Sequence, residues 1–104
     1  DLVYKWTKHK KFAVRRSVAV ILIRPIEKGI IDQQVLFDIC DRLLTYEHYL
    51  VLKGYGWLLK VASKRYHDDV VDYLKQNVSI MPRTAFRYAI EKLPKDERNL
   101  LMKL

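Results

Sequence analysis

The apolar positions of this chain recur at helical spacing almost from end to end. Val35, Leu36, Ile39, Cys40, Leu43 and Leu44 step by three and four, the period of one buried helix face. Asp32 stands just before that run, where a carboxylate can accept a first-turn N–H, so a helix from Asp32 to about Leu44 is predicted. The preceding helix runs from about Phe12 to Arg24 and is expected to stop before Pro25, because proline disfavours α backbone in the residue ahead of it. Ile26 to Ile31, with Gly29, reads as a loop. Thr45 is the expected cap of the next helix, to about Arg65, and His67 to Asn77 follows with Asp68 and Asp69 at its positive end. Pro82 suits the first turn of a helix ending near Leu93, and Pro94 opens a short last one holding Leu100, Leu101 and Leu104.

Two stretches need separate treatment. Ser17 to Ile23 is β-branched enough to be a buried strand, but no second strand-like run exists to pair with it, so helix is expected. Asp1 to Lys8, with Leu2, Val3 and Trp6, reads as the end of a helix, and His9 to Lys11 as a basic turn. A start at Asp1, in mid-helix, leads us to expect one domain, 1–104, that is a fragment or a trimmed chain.

The chain also repeats. Shifted by 37 residues, Phe12 to Leu22 lies over Tyr49 to Leu59: aromatic on aromatic at 12 and 49, Val14 on Val51, Arg16 on Lys53, Leu22 on Leu59. Small residues coincide at Ser17 with Gly54 and Ala19 with Gly56, and a weaker third copy spans Ile80 to Ile90. A helix-pair repeat of about 40 residues is the signature of a HEAT-like solenoid. The predicted fold is therefore all-α, about three antiparallel helix pairs in an α-α superhelix. The helices at 12–24 and 45–65 are apolar nearly all round, as inner helices of a stack would be. Their narrow polar stripes carry Arg15 and Arg16 on the first, and Lys53, Trp57 and Lys60 on the second. Arg83 and Arg87 occupy the third copy. Cations from three neighbouring inner helices would line one concave groove suited to a phosphate backbone. Without the repeat they are ordinary solvated charges.

Composition sharpens the choice of partner. Of 104 residues half are apolar and 31% charged, which is globular rather than disordered. Twenty Lys and Arg against twelve Asp and Glu leave +8, favouring a polyanion: nucleic acid first, an acidic protein or anionic membrane second. The single Cys40 excludes an intramolecular disulfide, fits a reducing compartment, and lies on an apolar face as core. No Cys/His spacing suits zinc, and no metal or cofactor is expected. The most apolar run, Val18 to Ile23, is far short of the roughly 20 residues of a membrane span.

Four blocks, taken together, resemble a known family. They are Phe12-Ala-Val-Arg-Arg-Ser-Val, then Leu22-Ile-Arg-Pro-Ile-Glu-Lys-Gly29, Lys53-Gly-Tyr-Gly-Trp-Leu-Leu-Lys60, and Met81-Pro-Arg-Thr-Ala-Phe-Arg-Tyr-Ala-Ile-Glu-Lys-Leu93. In order and over essentially the whole chain, they are similar to DNA alkylation repair enzymes of the AlkD type, in their C-terminal part. The resemblance implies a HEAT-like solenoid holding duplex DNA in its concave face. It implies release of cationic N3- and N7-alkylpurines by hydrolysis of the N-glycosidic bond. A carboxylate and tryptophan faces would stabilise positive charge on the sugar. The implied DNA-contacting arginine is Arg16, or in a less favoured register Arg15, and the active-site tryptophan is Trp57. Two departures stand out. Ala13 occupies a place where many members have Trp, and the family's catalytic carboxylate would lie about one repeat before the Arg15–Arg16 block, upstream of Asp1. Trp6 is not equated with the tryptophan that accompanies it.

Each of these residues also has a plain reading. Without the resemblance, Trp57 is a core tryptophan and Arg16 an ion-pair partner for a neighbouring helix. His9, His48 and His67 are scattered, and Asp68, Asp69 and Asp72 read as solvated helix surface. The expected function is the DNA-binding part of an alkylpurine DNA glycosylase, located in the cytoplasm, with the DNA of the nucleoid if the cell is prokaryotic. The alternatives are a non-catalytic DNA-binding solenoid and a HEAT-type protein-interaction module. A solenoid cut short exposes the apolar end of its stack, so self-association is a further expectation.

Overall fold

Caps and one glycine turn set where these helices begin and end. A computed structural model gives the structure of the protein and describes residues 5–44, 46 and 48–104, the side chain of Phe12 excepted. Within those residues the chain is all-α: α1 (Phe12–Glu27), α2 (Gln33–Leu43), α3 (Tyr49–Ala62), α4 (His67–Asn77), α5 (Arg83–Ile90) and α6 (Lys95–Met102). The β-branched stretch 17–23 is helical, inside α1. Lys5 and Trp6 are helical and close in a turn, with the His9 N–H donating to the Trp6 carbonyl at 3.1 Å. The expected contributions of Asp1, Leu2, Val3 and Thr45 lie outside the described residues.

Four boundaries differ from expectation. Helix α1 continues through Pro25 to Glu27 instead of stopping at Arg24. Proline withholds the N–H that would pair with the carbonyl four residues back, at Ile21, so the helix passes through it one bond short. The helix is closed instead by Gly29 at φ +72°, with the Gly29 N–H bonding the Ile26 carbonyl at 3.0 Å and the Ile30 N–H the Pro25 carbonyl at 2.9 Å. That pair of bonds is a Schellman turn, which needs left-handed backbone at its centre. Helix α3 begins after His48, whose Nδ1 accepts from the Leu50 N–H at 3.2 Å, and ends at Ala62. Helix α5 ends at Ile90, short of Leu93. Asp32 caps α2 as expected, accepting from the Gln34 N–H at 2.9 Å, and α4 spans its predicted residues.

The helices form two layers. α1, α3 and α5 lie side by side and make the most extensive contacts in the molecule. α2, α4 and α6 cover one side of that layer. Phe37 of α2 stacks on Tyr73 of α4 with ring centroids 4.9 Å apart, and the Tyr73 hydroxyl donates to Asp41 Oδ1 at 2.8 Å. Burial pushes the Tyr73 hydroxyl pKa far up, so it stays a donor. The core lies between the layers. Leu36, Ile39 and Leu43 of α2 and Val51, Tyr55, Leu58 and Leu59 of α3 belong to one hydrophobic cluster, all fully buried. Each such leucine contributes about 1.5–3 kcal/mol by leaving water. The Tyr55 hydroxyl resolves its own burial by donating to the Leu44 carbonyl at 3.3 Å. This packing is consistent with a helical-repeat solenoid, and its two-layer slab measures 38 × 29 × 18 Å.

The 37-residue repeat is visible in the packing. Ala19 of α1 is the small residue that faces Gly54 of α3, and Gly56, its counterpart one repeat later, faces Ala85 of α5. A Cβ on Gly54 would come 3.7 Å from the Ala19 Cβ, and a Cβ on Gly56 would come 3.0 Å from the Ala85 carbonyl oxygen. Small residues at equivalent positions thus let successive inner helices approach closely.

Candidate nucleic-acid interface

The two layers carry opposite charge. Helices α1, α3 and α5 hold Arg15, Arg16, Arg24, Lys53, Lys60, Arg83 and Arg87 against Glu27 alone. Helices α2, α4 and α6 hold seven carboxylates against Arg42, Lys75, Lys95 and Arg98. A polyanion is therefore attracted to one side of the slab and repelled from the other. A hollow of about 510 Å³ is on the repelling side, lined by Gln33, Gln34, Phe37, Asp41, Asp69, Asp72 and Tyr73. It has the wrong sign for nucleic acid.

Which cations face outward is decided by packing. In α3 the residues turned away from the core are Tyr49, Lys53 and Trp57, each one turn after the last, with half-buried Lys60 beyond them. Gly54 and Gly56 flank this stripe, one against α1 and the other against α5. Trp57 is 42% exposed, so its ring is not core. Lys60 crosses to α5 and pairs with Glu91 at 3.0 Å.

Arg16 and Arg15 part company. The Arg16 stem lies along α3, its Cγ 3.3 Å from where a Gly54 Cβ would stand, and its buried Nε has no hydrogen-bond partner among the described residues. Arg15 turns the other way. It donates to the backbone carbonyls of His9 and Lys10, the latter at 3.0 Å, and its guanidinium sits 4.3 Å over the Tyr46 ring. Arg15 thus fastens the 9–11 turn and does not share a face with Arg16.

The third copy divides likewise. Arg83 donates to the Met102 carbonyl at 2.7 Å and lies 5.1 Å over Phe86, which ties α5 to the end of α6. Arg87 is exposed and lines a shallow hollow of about 280 Å³ with Thr84, Tyr88 and Glu91. The structure brings Lys53, Trp57, Lys60 and Arg87 onto the outer side of the inner layer, leaves Arg16 half-buried against α3, and sets Arg15 and Arg83 apart.

Three residues of this face were not singled out from sequence. The Tyr49 and Tyr88 hydroxyls lie 3.0 Å apart across the α3–α5 seam, and the Lys53 ammonium stands 5.9 Å and 5.8 Å from their ring centroids. Arg24 lies two turns after Arg16 and is exposed, but the expected helix end at residue 24 hid it. The 49/12 aromatic match was the available signal for Tyr49. Tyr88 had none, because its partner is 39 residues away.

Among the described residues no group of three or more His, Cys, Asp or Glu could hold a metal ion, and no helix is long and apolar enough to cross a membrane. The sequence model of a family described as DNA alkylation repair enzyme matches residues 1–93. No curated protein and no solved structure matches.

Proposed function

Because the chain belongs to the DNA alkylation repair enzyme family, we propose that the face built by α1, α3 and α5 is the duplex-holding part of a glycosylase that removes cationic N3- and N7-alkylpurines. Membership places the chain in DNA alkylation repair, with DNA as its partner. The finer reading rests on one observation: Trp57 stands 42% exposed on the outer stripe of α3, one turn after Lys53. An indole with that much of its surface in solvent is open to a partner. Beside DNA its face can attract the positive charge that develops on the sugar as the glycosidic bond breaks. The leaving base is already a cation, so electrostatic stabilisation of the sugar is the main requirement.

In this reading Arg16, Lys53, Lys60 and Arg87 hold the phosphates, in a HEAT-like solenoid acting wherever the cell keeps its DNA. Arg15 and Arg83 position helices. The family's carboxylate is expected upstream of residue 1, and Glu91, on the same face, is engaged by Lys60. That ion pair favours a second reading, duplex binding without base release.

The test is release of 7-methylguanine and 3-methyladenine from methylated duplex DNA. The full-length protein is assayed beside its Trp57→Ala variant, with duplex affinity followed in parallel. Release that falls at least tenfold in Trp57→Ala at near-constant affinity supports the glycosylase. Binding without release supports the second reading. Absence of salt-sensitive duplex binding sinks both.

A further inference from the structure

The Tyr49–Tyr88 pair has a property that neither ring has alone. Two phenols 3.0 Å apart share one proton: one hydroxyl donates, the other accepts. The accepting hydroxyl still carries its own proton, and with its partner occupying one side, that O–H is directed to an acceptor outside the pair. Beside the two rings stands the Lys53 ammonium, attracted by both faces. Tyr49 is 53% exposed and Lys53 is exposed, so both groups are open to solvent. The nearby carboxylate, Glu91, is held by Lys60 at 3.0 Å, which removes a competitor for the ammonium. The hydrogen bond shared with Tyr49 raises the Tyr88 pKa, so the pair keeps both protons at neutral pH.

We propose that Lys53, Tyr49 and Tyr88 form an anion-receiving site, spanning the α3–α5 seam, that takes one phosphodiester group of duplex DNA. One non-bridging oxygen accepts from the ammonium and the other from the free phenolic O–H. The two tyrosines are positioning residues for Lys53 as well as the source of the neutral donor. The choice of DNA as the source of that phosphodiester rests on the duplex-binding reading above. The anion site itself rests on the three side chains.

The site is tested by duplex anisotropy against salt with the full chain. Lys53→Gln should lower the log–log salt slope by about 0.9, the worth of one phosphate contact, while Lys53→Arg keeps the slope. The Tyr49→Phe/Tyr88→Phe double variant keeps both ring faces and the fold. It should weaken binding roughly tenfold with the slope unchanged, because a neutral donor to a charged acceptor is lost. Combining it with Lys53→Gln should cost less than the two effects added. An unchanged slope in Lys53→Gln, or full additivity, overturns the site. If the wild-type chain does not bind duplex at all, inorganic phosphate decides. Shifts of the Tyr49 and Tyr88 ring resonances that Lys53→Gln abolishes uphold the anion site and discard DNA as its ligand. No shifts overturn the site too.

Discussion

Gly56 of α3 lies against the backbone of Ala85 in α5: a Cβ at position 56 would stand 3.0 Å from the Ala85 carbonyl oxygen and 2.9 Å from the Tyr88 Cβ. Neither atom can swing aside. At Gly54 the nearest obstacle is the Arg16 Cγ at 3.3 Å, part of a flexible stem. A helical glycine costs about 1 kcal/mol against alanine, whereas overpacking a tight seam costs about 1–3 kcal/mol. Urea unfolding should therefore find Gly54→Ala neutral or stabilising and Gly56→Ala destabilised by about 1 kcal/mol net of its propensity gain. A stabilised Gly56→Ala would mean that α3 and α5 are further apart than described.

The turn after α1 gives a second prediction. Gly29 has φ +72°, and a Cβ there would come 2.7 Å from Arg65 Nη1. Arg65 uses its Nε and Nη2 to donate to the Glu27 carbonyl at 3.4 Å and 3.2 Å, neutralising the negative end of α1. Gly29→Ala pays the left-handed backbone term of about 1–2 kcal/mol and unseats Arg65 as well. Arg65→Ala should consequently cost less in the Gly29→Ala background than in the wild type. Equal costs in both backgrounds, measured by thermal unfolding, would separate the two residues.

Much of this was legible before the structure. Period and caps gave α2 and α4 because Asp32 and the Asp68–Asp69 pair are local signals for local bonds. The 37-residue shift matched Ala19 with Gly56, and both prove to be small residues at close helix contacts. What sequence missed depends on distant partners. Pro25 was read as a stop because the rule for the residue before proline is local, whereas the Schellman turn at Gly29 closes the helix two residues past Glu27. Arg15 and Arg16 are neighbours in sequence, about 100° apart on a helix. Composition could not say which of them faced α3. Tyr49 and Tyr88 meet only once α3 and α5 are packed.

That divergence of Arg15 and Arg16 is directly measurable. Arg16→Ala should leave the unfolding midpoint nearly unchanged and lower the salt slope of duplex binding by about 0.9. Arg15→Ala should do the reverse. It loses the contact with the Tyr46 ring and the bonds to the His9 and Lys10 carbonyls, so stability falls by about 1 kcal/mol with the slope preserved. Matching slope losses in both variants would place Arg15 on the DNA as well.

The last helix is held by a titrating group. His67, at the start of α4, offers Nδ1 to Asp68 Oδ1 at 2.8 Å and Nε2 to Glu97 Oε2 of α6 at 2.6 Å. Neutral imidazole has one N–H and cannot donate to both carboxylates, so this geometry belongs to the imidazolium. The bond to Asp68 first, and that to Glu97 next, raise the His67 pKa above its ordinary value of 6.5. A raised folded-state pKa stabilises the protein fully below the unfolded value, and that contribution disappears as pH rises through the folded value. The α6 attachment should thus be firmest at acidic pH and loosen progressively above about pH 6.5. The neighbouring charges, Lys75 on α4 and Glu97 on α6, line the same apolar hollow with Leu100 and Leu104. Amide hydrogen exchange in residues 95–102 should accelerate between pH 6 and pH 9 beyond the intrinsic rate change, and His67→Gln should show that faster exchange at both pH values. Exchange that tracks the intrinsic rate alone in the wild type would mean that Leu101 burial, not the His67 bridge, holds α6 in place.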